Sequence, residues 1–466
     1  MADTAGGRPP EPGLVRGLGL LDATTLIVGS VIGSGIFFAP SYMARMIETP
    51  GLLVGLWILG GFLTLAGALS YGELAAALPK AGGQYVFLSE AFSPLFGFLY
   101  GWTLLLAINT GFLAAVSVAF AKTLGFFLPA VGEGTVLASL GDFRFSSAQA
   151  VALVVIALIT YLNVTGLRTG AAVQNVFTIA KVAAVAVLLI LATATGRGSM
   201  AHFTPLFGAD LGVDGLQIGL FAAIAGAMSK ALFSYDAWNS VTFTAEEVKD
   251  PERNLPRSLI LGTLAITAVY CSAVAVYLYM VPIGEMAAVK ENRIATEAAV
   301  RMIGSSGGAF IAVAILISTF GCVNGLSLAG ARVFYAMARD GLFFKSVGRV
   351  HPTYRTPAQA LVLQGVVAAL LTLTGTYGNL LDQTAFCSLL FNVLTVVGLF
   401  MLRRKRPDLP RPYRTWGYPV LPALYILVSS FFLVYIPVAN PTYSGRGIGL
   451  TLLGIPAYLY WRRASA

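Results

Sequence analysis

The chain has 466 residues, of which 57% are hydrophobic and only 11% charged, and its mean hydropathy is +0.79. Soluble domains carry roughly a quarter charged residues, so this balance excludes a water-soluble globular protein and points to a chain folded in lipid. The formal net charge of +9 would suit a nucleic-acid binder, but the lysines and arginines alternate between loops, which is a signature of membrane topology.

The first 17 residues are polar, rich in proline and glycine, and lack an apolar core followed by a small-residue cleavage site. They read as a disordered cytoplasmic tail, residues 1–17, with no signal peptide. Beyond it, apolar stretches that reach the ~20 residues needed to span the hydrocarbon core recur along the chain. Twelve are expected, at about 18–45, 51–78, 95–128, 147–166, 171–195, 215–247, 255–281, 306–338, 357–376, 382–402, 418–438 and 446–462.

The first span contains Gly29-Ser30-Val31-Ile32-Gly33-Ser34-Gly35-Ile36-Phe37. Glycine costs up to about 1 kcal/mol relative to alanine inside a helix, and any backbone group it frees must be buried in protein or line a cavity. The pattern therefore predicts an unwound segment; the plainer alternative is close helix packing through small residues. Lys122 lies near the end of the third span and Lys181 a third to halfway along the fifth. In the sixth, the apolar run gives way to Phe233-Ser234-Tyr235-Asp236-Ala237-Trp238-Asn239 and then to Thr242-Phe243-Thr244-Ala245-Glu246-Glu247. A carboxylate at mid-membrane costs about 2.5–3.5 kcal/mol on insertion scales, so Asp236 is expected to face a polar cavity. Spans one and six are five spans apart and so run in opposite directions. That is what a five-plus-five inverted repeat requires, with a midplane site between two broken helices.

With an even number of spans and the amino terminus inside, twenty lysines and arginines fall in inside loops and seven outside, which places both termini in the cytoplasm. The run Arg403-Arg404-Lys405-Arg406 reads as a topology anchor that also meets anionic lipid headgroups. Cys271, Cys322 and Cys387 fall within spans seven, eight and ten, and His202 and His351 stand alone in loops. Neither a metal cluster, a disulfide, nor a nucleophile–histidine–carboxylate set is visible, so no enzyme, cofactor or metal is expected.

The segment Val28 to Phe37 resembles the first-helix signature of the amino acid–polyamine–organocation superfamily. Phe233 to Asn239, followed by Thr244-Ala245-Glu246-Glu247 and Asn254-Leu255-Pro256, is similar to the sixth helix and following loop of its L-type amino acid transporter branch, as in a prokaryotic member. Pro79 to Tyr85, Ser318 to Gly325, Arg339-Asp340-Gly341 and Arg404 to Pro412 extend the likeness over about residues 16 to 420. The resemblance implies an all-α membrane protein of twelve transmembrane helices. Its core, residues 18–402, would be a LeuT-like five-plus-five inverted repeat with helices 1 and 6 unwound, and residues 403–466 would add two peripheral helices and a cytoplasmic carboxyl terminus. The implied activity is amino acid transport by alternating access. A sodium-independent exchanger of neutral L-amino acids, with cationic ones as an extension of its range, is one class, and a proton-coupled amino acid or amine symporter the alternative.

The residues supply the chemistry. The amides of Ser34, Gly35 and Ile36, which open the second half of span one, suit a substrate carboxylate at the positive end of a helix dipole. The carbonyls of Val31, Ile32, Phe233 and Ser234 suit its ammonium, and glycine at 33 and 35 lets the ligand approach the backbone. Lys181 resembles the family lysine that contacts helices one and eight, where related carriers bind sodium; the alternative is that it snorkels to the interface. Asp236 reads equally as a counter-ion for a cationic substrate or as an N-cap for the half-helix near Trp238. Phe233 resembles the family's aromatic gate, Asn324 and Asn392 offer amides to the cavity or to interhelical bonds, and Lys122 and Lys230 read as interface or packing residues. The loop Pro129 to Ser146 holds no cysteine, so no disulfide-linked heavy-chain subunit is expected, and a single polypeptide in a bacterial inner membrane is.

Overall fold

The computed structural model describes residues 14–132, 134–140, 143–207, 218–374, 377–439 and 441–465. The expectation of a disordered tail at 1–13, and the edges of spans six and nine at 215–217 and 375–376, lie outside the described residues. The described chain is predominantly helical. In order come α1 (Leu20–Val31), α2 (Gly35–Ala44), α3 (Pro50–Ala77), α4 (Gln84–Ala91), α5 (Pro94–Thr103), α6 (Asn109–Leu124), α7 (Ser147–Val164), α8 (Leu167–Thr195) and α9 (Ile218–Tyr235). A 3-10 segment, Trp238–Glu247, leads to α10 (Pro251–Met280), α11 (Ile283–Ala288), α12 (Ile294–Ile303), α13 (Ser305–Arg339), α14 (Ala358–Thr374), α15 (Tyr377–Lys405), α16 (Val420–Ala439), α17 (Pro441–Leu452) and α18 (Gly454–Ser465). Among the described residues nine helices are long and apolar enough to cross a membrane, and a shorter apolar one covers Ala358–Leu373.

Local chemistry explains many of the ends. Proline opens α3, α5 and α10, where its missing N–H is not needed. Ser146 and Gln149 form a capping box at the start of α7.

Three features depart from the expected spans. The third is not one regular helix: a π-helical turn, Leu104–Ile108, separates α5 from α6. The loop after α6 holds a small antiparallel hairpin, Val136–Leu140 with Phe143–Ser146, in a chain expected to be all helix. The last span is divided into α17 and α18, because Pro456 has no N–H to offer the carbonyl four residues back.

The two interrupted segments are brought together at the centre. The first half-helix, α1, packs on α8, α10, α13 and Trp238–Glu247, while α2 packs on α9, α11 and α12. α16, α17 and α18 lie against α15, α9 and α5 at the periphery. Of the basic run, Arg403 grips Glu73 at 2.6 and 2.8 Å, Arg406 reaches Glu90 at 2.7 Å and Lys405 the Ala91 carbonyl at 2.9 Å. These side chains tie α15 to α3 and α4, while Arg404 is exposed.

Candidate functional site

α1 ends where its own hydrogen bonds run out. Ile32 N still bonds to Val28 O at 3.0 Å, but Gly33 N turns back to Val31 O at 2.7 Å, and helix resumes only at Gly35 with no side-chain cap from Ser34. The first-turn amides of α2, at Gly35 and Ile36, are groups that a helix leaves without partners of its own.

The carbonyl end of α1 is held by side chains from three other helices. Lys181, on α8 and 1% exposed, donates to Gly29 O at 2.8 Å, Ile32 O at 2.7 Å and Ser318 O at 3.0 Å. Three ammonium hydrogens meet three carbonyls, so this lysine does not snorkel. Ser318 Oγ donates to Ile32 O at 2.8 Å, and Cys322 Sγ lies 2.9 Å from Ser30 O. On the other side, the Tyr270 hydroxyl sits between Val31 O at 2.8 Å and Ser234 O at 2.9 Å. It bridges the carbonyl ends of both half-helices. The fourth expected carbonyl, Phe233 O, accepts from Asp236 N at 3.2 Å.

Glycine is required here by contact between the two breaks. A Cβ on Gly35 would lie 2.3 Å from Ser234 Oγ and 2.8 Å from Ser234 Cα, and one on Gly33 would lie 2.7 Å from Cys322 Sγ. Phe233 is buried and its ring lies 4.5 Å from that of Phe112 on α6.

Asp236 follows the end of α9, and Ala237 takes a left-handed φ of 68°. Its Oδ1 accepts from the adjacent Ala237 N at 2.7 Å, not from the second or third helical amide that an N-cap serves. Its Oδ2 is buried without a hydrogen-bond partner. That carboxylate lines a cavity of about 20 Å³ together with Thr64, Ser388, Asn392, Tyr425 and Ser429, room for about one water. Ser429 Oγ is likewise buried and unpartnered.

The two asparagines serve different networks. Asn392 Oδ1 accepts from Tyr71 at 2.9 Å and Gln84 at 3.3 Å, and Gln84 in turn accepts from Asn239 at 2.6 Å, so it stands beside Asp236 and within reach of the second break. Asn324 bonds to Gly170 O at 3.1 Å, Gln174 at 3.0 Å and Asn163 at 2.9 Å, holding α13 to α7 and α8, and Gln174 in turn lies against Gly29 of α1. Lys122 and Lys230 are buried. Sequence reasoning missed Tyr270 and Ser318. Tyr270 carries no signal in its apolar span, whereas Ser318 sits in the quoted Ser318 to Gly325 motif.

A family model described as amino acid permease matches residues 18–455. The chain is 30% identical over 458 residues to the Serine/threonine exchanger SteT of Bacillus subtilis, covering 98% of this chain and 99% of that one. It is 31% identical to the Large neutral amino acids transporter small subunit 2 of Homo sapiens, over 96% of this chain and 81% of that protein. With the b(0,+)-type amino acid transporter 1 of Mus musculus it shares 29% identity over 92% and 83% of the two chains.

Proposed function

Because the chain belongs to the amino acid permease family, we infer that it exchanges amino acids across a membrane without sodium. The observation that carries this reading is Lys181: a fixed ammonium holds the broken end of α1 by three carbonyls, the role a bound cation would otherwise fill. The matching break after α9 touches the first at Gly35 and Ser234. Together they define a place for one α-amino acid, its carboxylate on the amides of Ser34, Gly35 and Ile36. Its ammonium would lie near the carbonyls of Val31, Ile32, Phe233 and Ser234; Val31 O and Ile32 O each already take two donors, so its hydrogen bonds would fall chiefly on Phe233 O and Ser234 O. The contact between Gly35 and Ser234 must part to admit it.

We assign twelve spans in a five-plus-five inverted repeat plus two peripheral helices, with both termini in the cytoplasm of a bacterial inner membrane. Phe233, packed on Phe112, is the gate over the substrate. Asp236, with one unpartnered carboxylate oxygen, is the element that extends the range from neutral to cationic amino acids. The loop after α6 has no cysteine; we infer a carrier that works as one polypeptide. Purified protein in sodium-free liposomes tests the exchange reading. Uptake of labelled amino acid that depends on an unlabelled amino acid inside supports exchange. Uptake driven by an imposed pH gradient into empty liposomes would instead make the chain a proton symporter.

A further inference from the structure

We propose that Glu247 and Arg332 form the lock that keeps the Leu18 end of the transport path shut, and that each turnover must release it. Both side chains are buried to 0 and 1% exposure. The guanidinium of Arg332 grips the carboxylate in a two-pronged pair, Nε to Oε2 at 2.8 Å and Nη2 to Oε1 at 2.9 Å, and its third nitrogen donates to the Leu328 carbonyl.

Glu247 does two jobs. Its side chain fastens the segment after the second break to α13. Its main-chain oxygen accepts from Gly17 N and Leu18 N, both at 2.9 Å, and Lys249 N returns a bond to Leu18 O at 2.9 Å. Leu18 and Val248 thus form a short parallel bridge, both buried, and α1 begins two residues later. The lead-in to the first broken helix is therefore latched, through one residue, to the second broken helix and to α13.

The energetics give the latch a direction. A buried pair with one partner removed leaves an uncompensated charge in a dry place, which is strongly unfavourable, whereas opening this end to water relieves that penalty. Neutralising one charge therefore disfavours the closed arrangement more than the open one and shifts the population toward open. A mere structural rivet would lower stability without changing which state the folded protein adopts.

Cys322 is a built-in reporter, since its thiol is buried against Ser30 O of α1 and is uncovered when that half-helix swings away. With Cys271 and Cys387 replaced by alanine it is the remaining thiol. In that background Glu247→Gln should make Cys322 react with N-ethylmaleimide at least about tenfold faster, the equivalent of about 1.4 kcal/mol, and Glu247→Asp should move the rate back toward the parent. Parental reactivity in a Glu247→Gln protein that keeps the parent's melting temperature overturns the proposal.

A second arm leaves the ion pair intact. In the same background, which lacks Cys271 and Cys387 but keeps the buried Cys322, Leu18→Cys with Val248→Cys should cross-link under oxidation, stop exchange, and recover it on reduction. Undiminished exchange by fully cross-linked protein also overturns the lock. The inference rests on the exchanger reading, but the two fail separately: an unsubstituted protein that performs no exchange contradicts that reading, while Cys322 labelling judges the lock alone.

Discussion

Replacing Lys181 with methionine keeps a long unbranched side chain and removes every donor. Of the three carbonyls its ammonium reaches, Ile32 O keeps Ser318 Oγ at 2.8 Å, and Ser318 O lies inside α13, where the helix supplies a donor. Gly29 O has no such reserve, because the amide four residues on, Gly33 N, bonds to Val31 O. One buried acceptor is orphaned at about 1–3 kcal/mol, and a charge-assisted bond to Ile32 worth about 1.5–3 kcal/mol is lost. Relief of the buried ammonium's desolvation returns part of this. A net cost of about 2 kcal/mol in the ordered break reduces the substrate-competent population about thirtyfold. The assay is the initial rate of labelled amino acid uptake into liposomes preloaded with unlabelled amino acid, normalised to inserted protein, with and without sodium. The rate should fall by at least tenfold, and sodium should not restore it, since removing a side chain does not by itself build a cation site. A methionine variant that exchanges at the parent's rate would refute the reasoning and make Lys181 a packing residue.

Gly35→Leu should insert normally but bind no substrate, because its Cβ would already lie 2.3 Å from Ser234 Oγ; near-normal uptake would remove this break from the site. Tyr270→Phe strips one donor from Val31 O and Ser234 O, so the melting temperature without ligand should fall, while saturating substrate, whose ammonium supplies donors to the same carbonyls, should raise it by more than in the parent. An equal ligand-induced rise in both proteins counts against ammonium binding there. Asp236→Asn keeps the shape but removes the charge, so arginine or lysine transport should fall more than that of leucine or alanine. An unchanged ratio of arginine to leucine, or no arginine transport by the parent, leaves a neutral amino acid carrier.

The two breaks were legible because their residues contradict their surroundings. Three glycines in Gly29 to Gly35, and an aspartate in the sixth apolar run, each cost a continuous span free energy with no local return. Lys181 was legible for the same reason. What occupies the freed carbonyls was not. Tyr270 is one aromatic among many in an apolar helix, and its hydroxyl meets Val31 and Ser234 only because α10 packs on α1 and α3; hydropathy carries no azimuth that would say so. Arg332 falls at the inner end of the eighth expected span, 306–338, and counts among the twenty inside cations, yet it sits within α13 and its charge is absorbed by Glu247. A long-range partner turned an apparent topology signal into a buried bond. The hairpin after α6 and the π-helical turn at Leu104–Ile108 likewise depend on contacts that a hydropathy window averages away.

The placement of charge around the two breaks bears on why such a carrier would exchange. On the α8 side the positive charge is covalent, seated on carbonyls of α1 and α13. On the α9 side an aspartate oxygen lacks a partner. A dissociable cation at the first place would bind with the substrate and leave with it, so its gradient would do work on each cycle. A lysine cannot leave. The same field then orders the same backbone at every turn, no metal ion leaves this place with the amino acid, and on the exchanger reading the free energy available for uptake reduces to the gradients of the amino acids themselves. On the function proposed above, Lys181 would set the energetics of the cycle and Asp236 its chemical range, so the two substitutions are expected to fail differently: one in rate for every substrate, the other in the ratio between substrates.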